Sequence, residues 1–388
     1  MKIRLYFLYL IIFFLLPGAL IFLLNLPYQD TFKVQFSAFS IAQLLCYSFI
    51  LGLMIFFIPE KKISSYTPVY KELSIILLLL SPLYLFYSVL FFLDYGISFR
   101  QVNRLGDVSI LMKVIILSRN IFVYILLYLL DFLRSKKSYL FKSIFLIYTF
   151  SLFLTSNAAY DYIILVILLL SFFSIDLYLK NTSLFFKIII FPLTILISFF
   201  SIIYIGIANK IGNDLFFDLI LNIDNYSVLY SDMILRQSVN LVSANKVIEE
   251  NFLIGDLNFF RYYFSNLGYI FDRLFSRDVE IYTLPRINYF KIFLLSKDSS
   301  ISGASPGFIG TLLYFPYFLP GLVIGSAFFI KVYRIWQQMT KNIHFKLFSI
   351  LLFVFCFIPI FDNIYGYFLI FDFNFLNVLI LWFLHKRI

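Results

Sequence analysis

The chain has 388 residues, of which 62% are hydrophobic and 13% charged, about half the charged share of an ordinary soluble domain. With a mean hydropathy of +0.93, most of its surface must face lipid, which excludes the soluble globular class. The net charge of +10 lies in short, dispersed patches; that excludes a nucleic-acid surface and suits Lys and Arg gathered on one side of a membrane.

Crossing about 30 Å of hydrocarbon as helix takes roughly 20 apolar residues, and lipid tolerates no open loop backbone. Spans are accordingly expected near 5–26, 36–58, 73–93, 110–133, 139–156, 160–179, 184–207, 308–330, 345–361 and 364–384. The first has no small-residue cleavage site after it and reads as a retained helix. Cys46 and Cys356 both fall inside apolar runs, so no disulfide framework is expected. The fold class is thus all-α: a polytopic membrane protein of about ten transmembrane helices with one large extracytoplasmic loop between spans 7 and 8. Residues 1–207 carry spans 1–7, 208–307 the loop, and 308–388 spans 8–10.

Alternate loops differ sharply in charge. One set, with Lys2 and Arg4, Lys61 and Lys62, Lys136 and Lys137, Lys331 and Arg334, and Lys386 and Arg387 among its members, holds 17 of the 31 basic residues. The opposing short loops hold Lys33, Arg100 and Arg104. The positive-inside rule then puts both termini in the cytoplasm and the long loop outside. His344 and His385 fall on the cytoplasmic side, so chemistry on the outer face would proceed without histidine.

The loop carries nine basic and eleven acidic residues, so it is polar and nearly neutral. Ser227–Glu250 places Leu229, Met233, Val239, Val242 and Val247 at mixed three- and four-residue spacings, which predicts an amphipathic helix. Asn251 and Gly255 would stop it. A second helical stretch, Phe259–Phe275, has aromatic residues on nearly every turn and suits the membrane interface. Before the eighth span, Ser302, Gly303, Ala304, Ser305, Pro306 and Gly307 allow tight turns and close approach to backbone.

Four stretches carry a family resemblance: DYGISFRQVNR (94–104), EENFLIGDLNFF (249–260), TLPR (283–286) and SGASPGFIGTLLYFPYFLPGLVIGSAFF (302–329). With the order of elements, they resemble the O-antigen polymerase (Wzy) family of bacterial surface-polysaccharide assembly. Between the fifth and sixth spans the chain departs from that family: TSNAAYD (155–161) stands where an arginine beside Gly or Ser is common. Lack of an outer histidine argues against the related O-antigen ligase, whose mechanism is usually assigned one.

The resemblance implies a GT-C-like, inverting membrane glycosyltransferase at the outer face of the bacterial inner membrane. It would join undecaprenyl-pyrophosphate-linked oligosaccharides into O-antigen or capsular polysaccharide. No metal and no cofactor is expected. Partners would be the lipid-linked oligosaccharide, membrane lipid, a chain-length regulator and a flippase, and no nucleic acid. Two alternatives stay open: an O-antigen ligase or other lipid-linked glycosyltransferase, and a polysaccharide flippase or transporter, though the latter would favour charged residues lining many spans and short outer loops.

Transfer off a lipid pyrophosphate develops negative charge on the leaving group. Arginine suits this, because its planar fork binds phosphate oxygens two at a time and stays charged. Arg100 and Arg104 are four apart and share a face if helical. Arg119 lies about six residues inside the fourth span, where an unpaired charge is costly. These three are the pyrophosphate candidates. Arg286, beside Pro285, is favoured among the loop arginines. With no outer histidine, a base for the acceptor hydroxyl must be a carboxylate, and Asp256, after Gly255, is favoured over Asp94, Asp161 and Asp298. Each has a structural alternative: interfacial anchoring for Arg100 and Arg104, an ion pair for Arg119, a turn or cap for Asp256.

Overall fold

The computed structural model describes residues 1–24, 37–60, 69–95, 139–155, 238–251, 307–315 and 317–340, with isolated positions elsewhere, and these segments are helical. Among the described residues three helices, Lys2–Leu23, Ala38–Phe57 and Phe318–Gln337, are long and apolar enough to cross a membrane. Their outward side chains are large and apolar, with Phe22 85%, Phe39 72% and Phe49 62% exposed. That surface needs lipid against it.

The first span is not one regular helix. It consists of α1 (Lys2–Leu10), a π-helical turn (Ile11–Leu15) and α2 (Leu16–Leu23). The cause is Pro17, which has no N–H to give and whose ring crowds the carbonyl four residues back. A widened turn relieves that crowding, and Leu16 N–H donates to the Ile11 carbonyl five residues earlier.

Helix α3 (Ala38–Phe57) starts at a capping box. Ser37 Oγ accepts from Ser40 N–H at 2.9 Å, while Ser40 Oγ accepts from Ser37 N–H at 3.2 Å. Two free donors of the first turn are thereby satisfied. At the far end of α3, Lys2 Nζ donates to the Ile58 carbonyl, which ties the start of α1 to the end of α3. The two spans are therefore antiparallel.

Helix α4 (Val69–Tyr95) packs on α5 (Tyr139–Thr155). Tyr84 and Tyr148 stack between them, centroids 5.4 Å apart. Buried hydroxyls on both helices turn back on their own backbone: Ser88 Oγ donates to the Tyr84 carbonyl and Thr149 Oγ1 to that of Phe145. In lipid such back-bonding is how a lone hydroxyl avoids going unpaired.

The remaining helices are α6 (Val239–Asn251), α7 (Gly307–Tyr314) and α8 (Phe318–Thr340). Residues 308–330, expected as one span, instead belong to two helices, the first ending at Tyr314 and the second starting at Phe318, and Tyr317 takes a left-handed φ of +64°. Helix α7 folds back along α8. Phe308 lies near Phe329, centroids 6.3 Å apart, while a β-carbon on Gly321 would meet the Leu312 carbonyl oxygen at 2.7 Å and one on Gly325 the Leu312 Cδ1 at 2.3 Å. The two glycines, four apart on one face, let the backbones approach closely, as small residues do between membrane helices. The crossing is made by α8, with α7 as a half-helix beside it.

An aromatic core joins these elements. Tyr6 meets Phe329 edge-on at 5.6 Å, Tyr9 meets Phe308 at 6.1 Å and Tyr47 meets Phe318 at 5.0 Å. Trp336 packs on Phe353 at 5.5 Å and donates from Nε1 to the Ser349 carbonyl at 2.9 Å. Tyr6 donates to the Ser48 carbonyl at 2.8 Å. Because Phe318 is level with Tyr47 and the end of α8 approaches Lys2 through Arg334, α8 runs parallel to α3. Lys2, Arg4, Lys331 and Arg334 thus gather at one end of the bundle.

Candidate functional site

Helix α6 is where polar chemistry enters the membrane-type core. It comes from the polar stretch between Gly206 and Phe308, yet it packs on α7, on α3 and on the π turn of the first span. Ser238, Val242, Ser243, Ala244, Asn245, Val247 and Ile248 are all buried. A helix this polar, covered on most of its circumference, must satisfy its hydrogen-bonding groups internally. Ser243 Oγ donates to the Val239 carbonyl at 2.7 Å, and Asn245 Nδ2 donates to Glu249 Oε1 at 2.8 Å. The Asn245–Glu249 pair spans one helical turn, so a buried amide fixes a carboxylate that is itself exposed. A carboxylate held in this way can accept a hydrogen bond or a proton from a hydroxyl.

Against the start of α6 lies the start of α7. Gly307 has a φ of +67°, a left-handed conformation that costs a side-chain-bearing residue about 1–2 kcal/mol. A β-carbon there would also fall 2.6 Å from Asn240 Cγ. Thr311, fully buried, donates from Oγ1 to the Gly307 carbonyl at 2.7 Å. The α6–α7 contact is thus polar at one end and apolar beyond it. Leu241 reaches the first span, where a β-carbon on Gly18 would sit 3.2 Å from Leu241 Cδ2.

All five sequence-predicted site residues, Arg100, Arg104, Arg119, Asp256 and Arg286, lie outside the described residues. Of the other carboxylates considered, Asp94 is exposed near the end of α4, and Asp161 and Asp298 lie outside the described residues. Sequence reasoning marked the small-residue cluster 302–307 for tight turns and close approach of a ligand to backbone; of that cluster Gly307 is described, and its close neighbour is the Asn240 side chain. It passed over Asn245 and Glu249, whose four-residue spacing was the available signal. Among the described residues no group of three His, Cys, Asp or Glu side chains stands ready to hold a metal ion.

Apolar crossing helices, with a polar helix and a half-helix buried against them, define a helical membrane protein. No family model matches the chain, and no curated protein or solved structure matches it either.

Proposed function

We propose that this protein is a polymerase that joins undecaprenyl-pyrophosphate-linked oligosaccharide repeat units into O-antigen or capsular polysaccharide at the outer face of the bacterial cytoplasmic membrane. The observation that carries the reading is the placement of α6: part of the long polar stretch is built into the body of membrane helices. Such a polar element among membrane helices suits a reaction between two lipid-anchored substrates, whose sugars are hydrophilic and whose carriers are not. The sequence resemblance supports the same reading.

In the reaction an acceptor hydroxyl oxygen bonds to the anomeric carbon of the growing chain as the bond from that carbon to the lipid pyrophosphate breaks. The hydroxyl proton goes to a carboxylate, for which Asp256 is the proposed acceptor. The electron pair leaves on the pyrophosphate, where guanidinium groups of Arg100, Arg104 and Arg119 neutralise it, with Arg286 beside them. Arginine's fixed charge and paired donors make it the side chain best matched to that oxyanion.

The test is a gel of surface glycans from the host lacking the gene, with and without its return. Collapse of a ladder to one repeat unit, restored on complementation, is the expected result. Loss of even the single capped unit would point to ligation, flipping or an earlier transfer, and an unchanged ladder would sink the assignment. Returned as Arg100→Ala or Arg104→Ala, the gene should give full-length protein in the membrane but no chain growth. A normal ladder from either variant would remove that arginine from the site.

A further inference from the structure

A groove with a volume of about 920 Å³ runs along the lipid-facing side of the bundle between the first span and α3. Its walls are apolar almost throughout. Helical rise puts Ile3 and Phe22, both in the wall, about 28 Å apart, close to the roughly 30 Å of a bilayer's hydrocarbon. From Ile3 to Phe14, which also lines it, the distance is about 16 Å, or one leaflet's depth. Gly52 forms part of the floor of this half, over the ring of Tyr6, which a β-carbon there would meet at 3.1 Å. Leu53 and Phe56 complete the wall.

The mouth of this half is charged. Arg4 is exposed, next in sequence to Ile3 and three residues from Phe7, so it shares a side of α1 with Phe7. Its guanidinium has no ion-pair partner among the described residues, and Glu60 is already engaged by the Met1 ammonium at 3.7 Å. Lys2 is committed to the Ile58 carbonyl, and Arg334 is close enough to add to the local positive field. An apolar channel one leaflet deep, ending in an arginine that has no ion-pair partner among the described residues, has the form of a phospholipid site.

We propose that this half of the groove binds an anionic phospholipid, with the phosphate on Arg4 and the acyl chains along Phe7, Leu53 and Phe56. The charge of Arg4 at the mouth selects against a zwitterionic lipid, whose ammonium would face it. A partner's transmembrane helix would fill the groove but leave Arg4 without a counter-charge. Basic pockets between membrane helices on the cytoplasmic side are a recurring way to hold anionic headgroups. The site is independent of the polymerase reading, because lipid retention is measured without any turnover.

The full chain is reconstituted into phosphatidylcholine bilayers containing a minority of phosphatidylglycerol, extracted into mild detergent, and its retained lipid counted by native mass spectrometry. Phosphatidylglycerol should be enriched over its share of the bilayer. Arg4→Gln should lower that enrichment about fivefold, the weight of one basic residue at an anionic surface, while Arg4→Lys retains it. Leu53→Trp, which fills the channel from an exposed position, should release the lipid. Retention in bulk proportion, an unchanged preference in Arg4→Gln, or a second protein mass in place of lipid would each overturn the proposal. Thermal melting of Arg4→Gln at the wild-type temperature separates loss of the site from loss of the fold.

Discussion

At Gly321 and Gly325 two identical residues on one helix face have different consequences when changed. A β-carbon at 321 meets the Leu312 carbonyl oxygen at 2.7 Å, and backbone cannot step aside without moving α7. At 325 the clash is closer, 2.3 Å, but it falls on Leu312 Cδ1, the end of a side chain that can change rotamer. Gly321→Ala should therefore destabilise the fold by about 1–3 kcal/mol, the usual cost of overpacking. Gly325→Ala should cost less. Thermal unfolding in detergent checks the order, and adding Leu312→Ala should rescue Gly325→Ala but not Gly321→Ala. Equal losses from the two single variants would mean that α7 does not lie against α8 as described. The hairpin also shows what residue-level reading could not supply. Residues 308–330 are apolar almost without break, and apolar content alone cannot tell one crossing from a hairpin of the same composition. The signal lay in YFPYFLPG, where Pro316 and Pro320 stand close together and each disfavours helix at the residue before it.

Among the elements, α6 is the one that hydropathy placed least well. Of the helix expected over Ser227–Glu250, the part from Val239 is helical and its Val242 and Val247 are buried, while residues 227–237 lie outside the described residues. The spacing of its apolar residues suits a helix with one face on a membrane surface, whereas α6 is covered by α7 on one side and by α3 and the π turn on another. Burial of Ser238, Ser243 and Asn245 follows from those neighbours, and no local pattern encodes a neighbour more than fifty residues away in the chain. The first span's irregularity, in contrast, was written locally in Pro17. A disulfide tests the α6–α7 contact directly. Asn240 Cγ lies 2.6 Å from the place of a Gly307 β-carbon, so the two β-carbons are close enough for bridging, which requires about 3.5–4.5 Å. With Cys46 and Cys356 replaced by alanine, the pair Asn240→Cys and Gly307→Cys should cross-link under mild oxidation, and reduction should reverse it. Failure to cross-link while both thiols react with a small maleimide would separate the two helices.

On the scale of the whole molecule, charge and chain direction point to one orientation. The start of α1, the end of α3 and the end of α8 meet at a single end of the bundle through Lys2, Ile58 and Arg334. That end carries Arg4 and Lys331 as well, while the opposite end begins at Ser37, the cap of α3. By the positive-inside rule, the expected orientation has the basic end in the cytoplasm. The fold-back of α7 on α8, with Phe308 beside Phe329, is consistent with α8 running toward that end. The test uses single cysteines in a background lacking Cys46 and Cys356. Ser37→Cys should react with an impermeant maleimide in intact cells, and Glu60→Cys should react only after the membrane is opened. A cysteine at Lys386 should behave as the one at Glu60, if an even number of crossings separates the two ends of the chain. Labelling of Glu60→Cys in intact cells would invert the protein. Arg4 would then face the outer leaflet, and the lipid that the groove takes would have to come from that side.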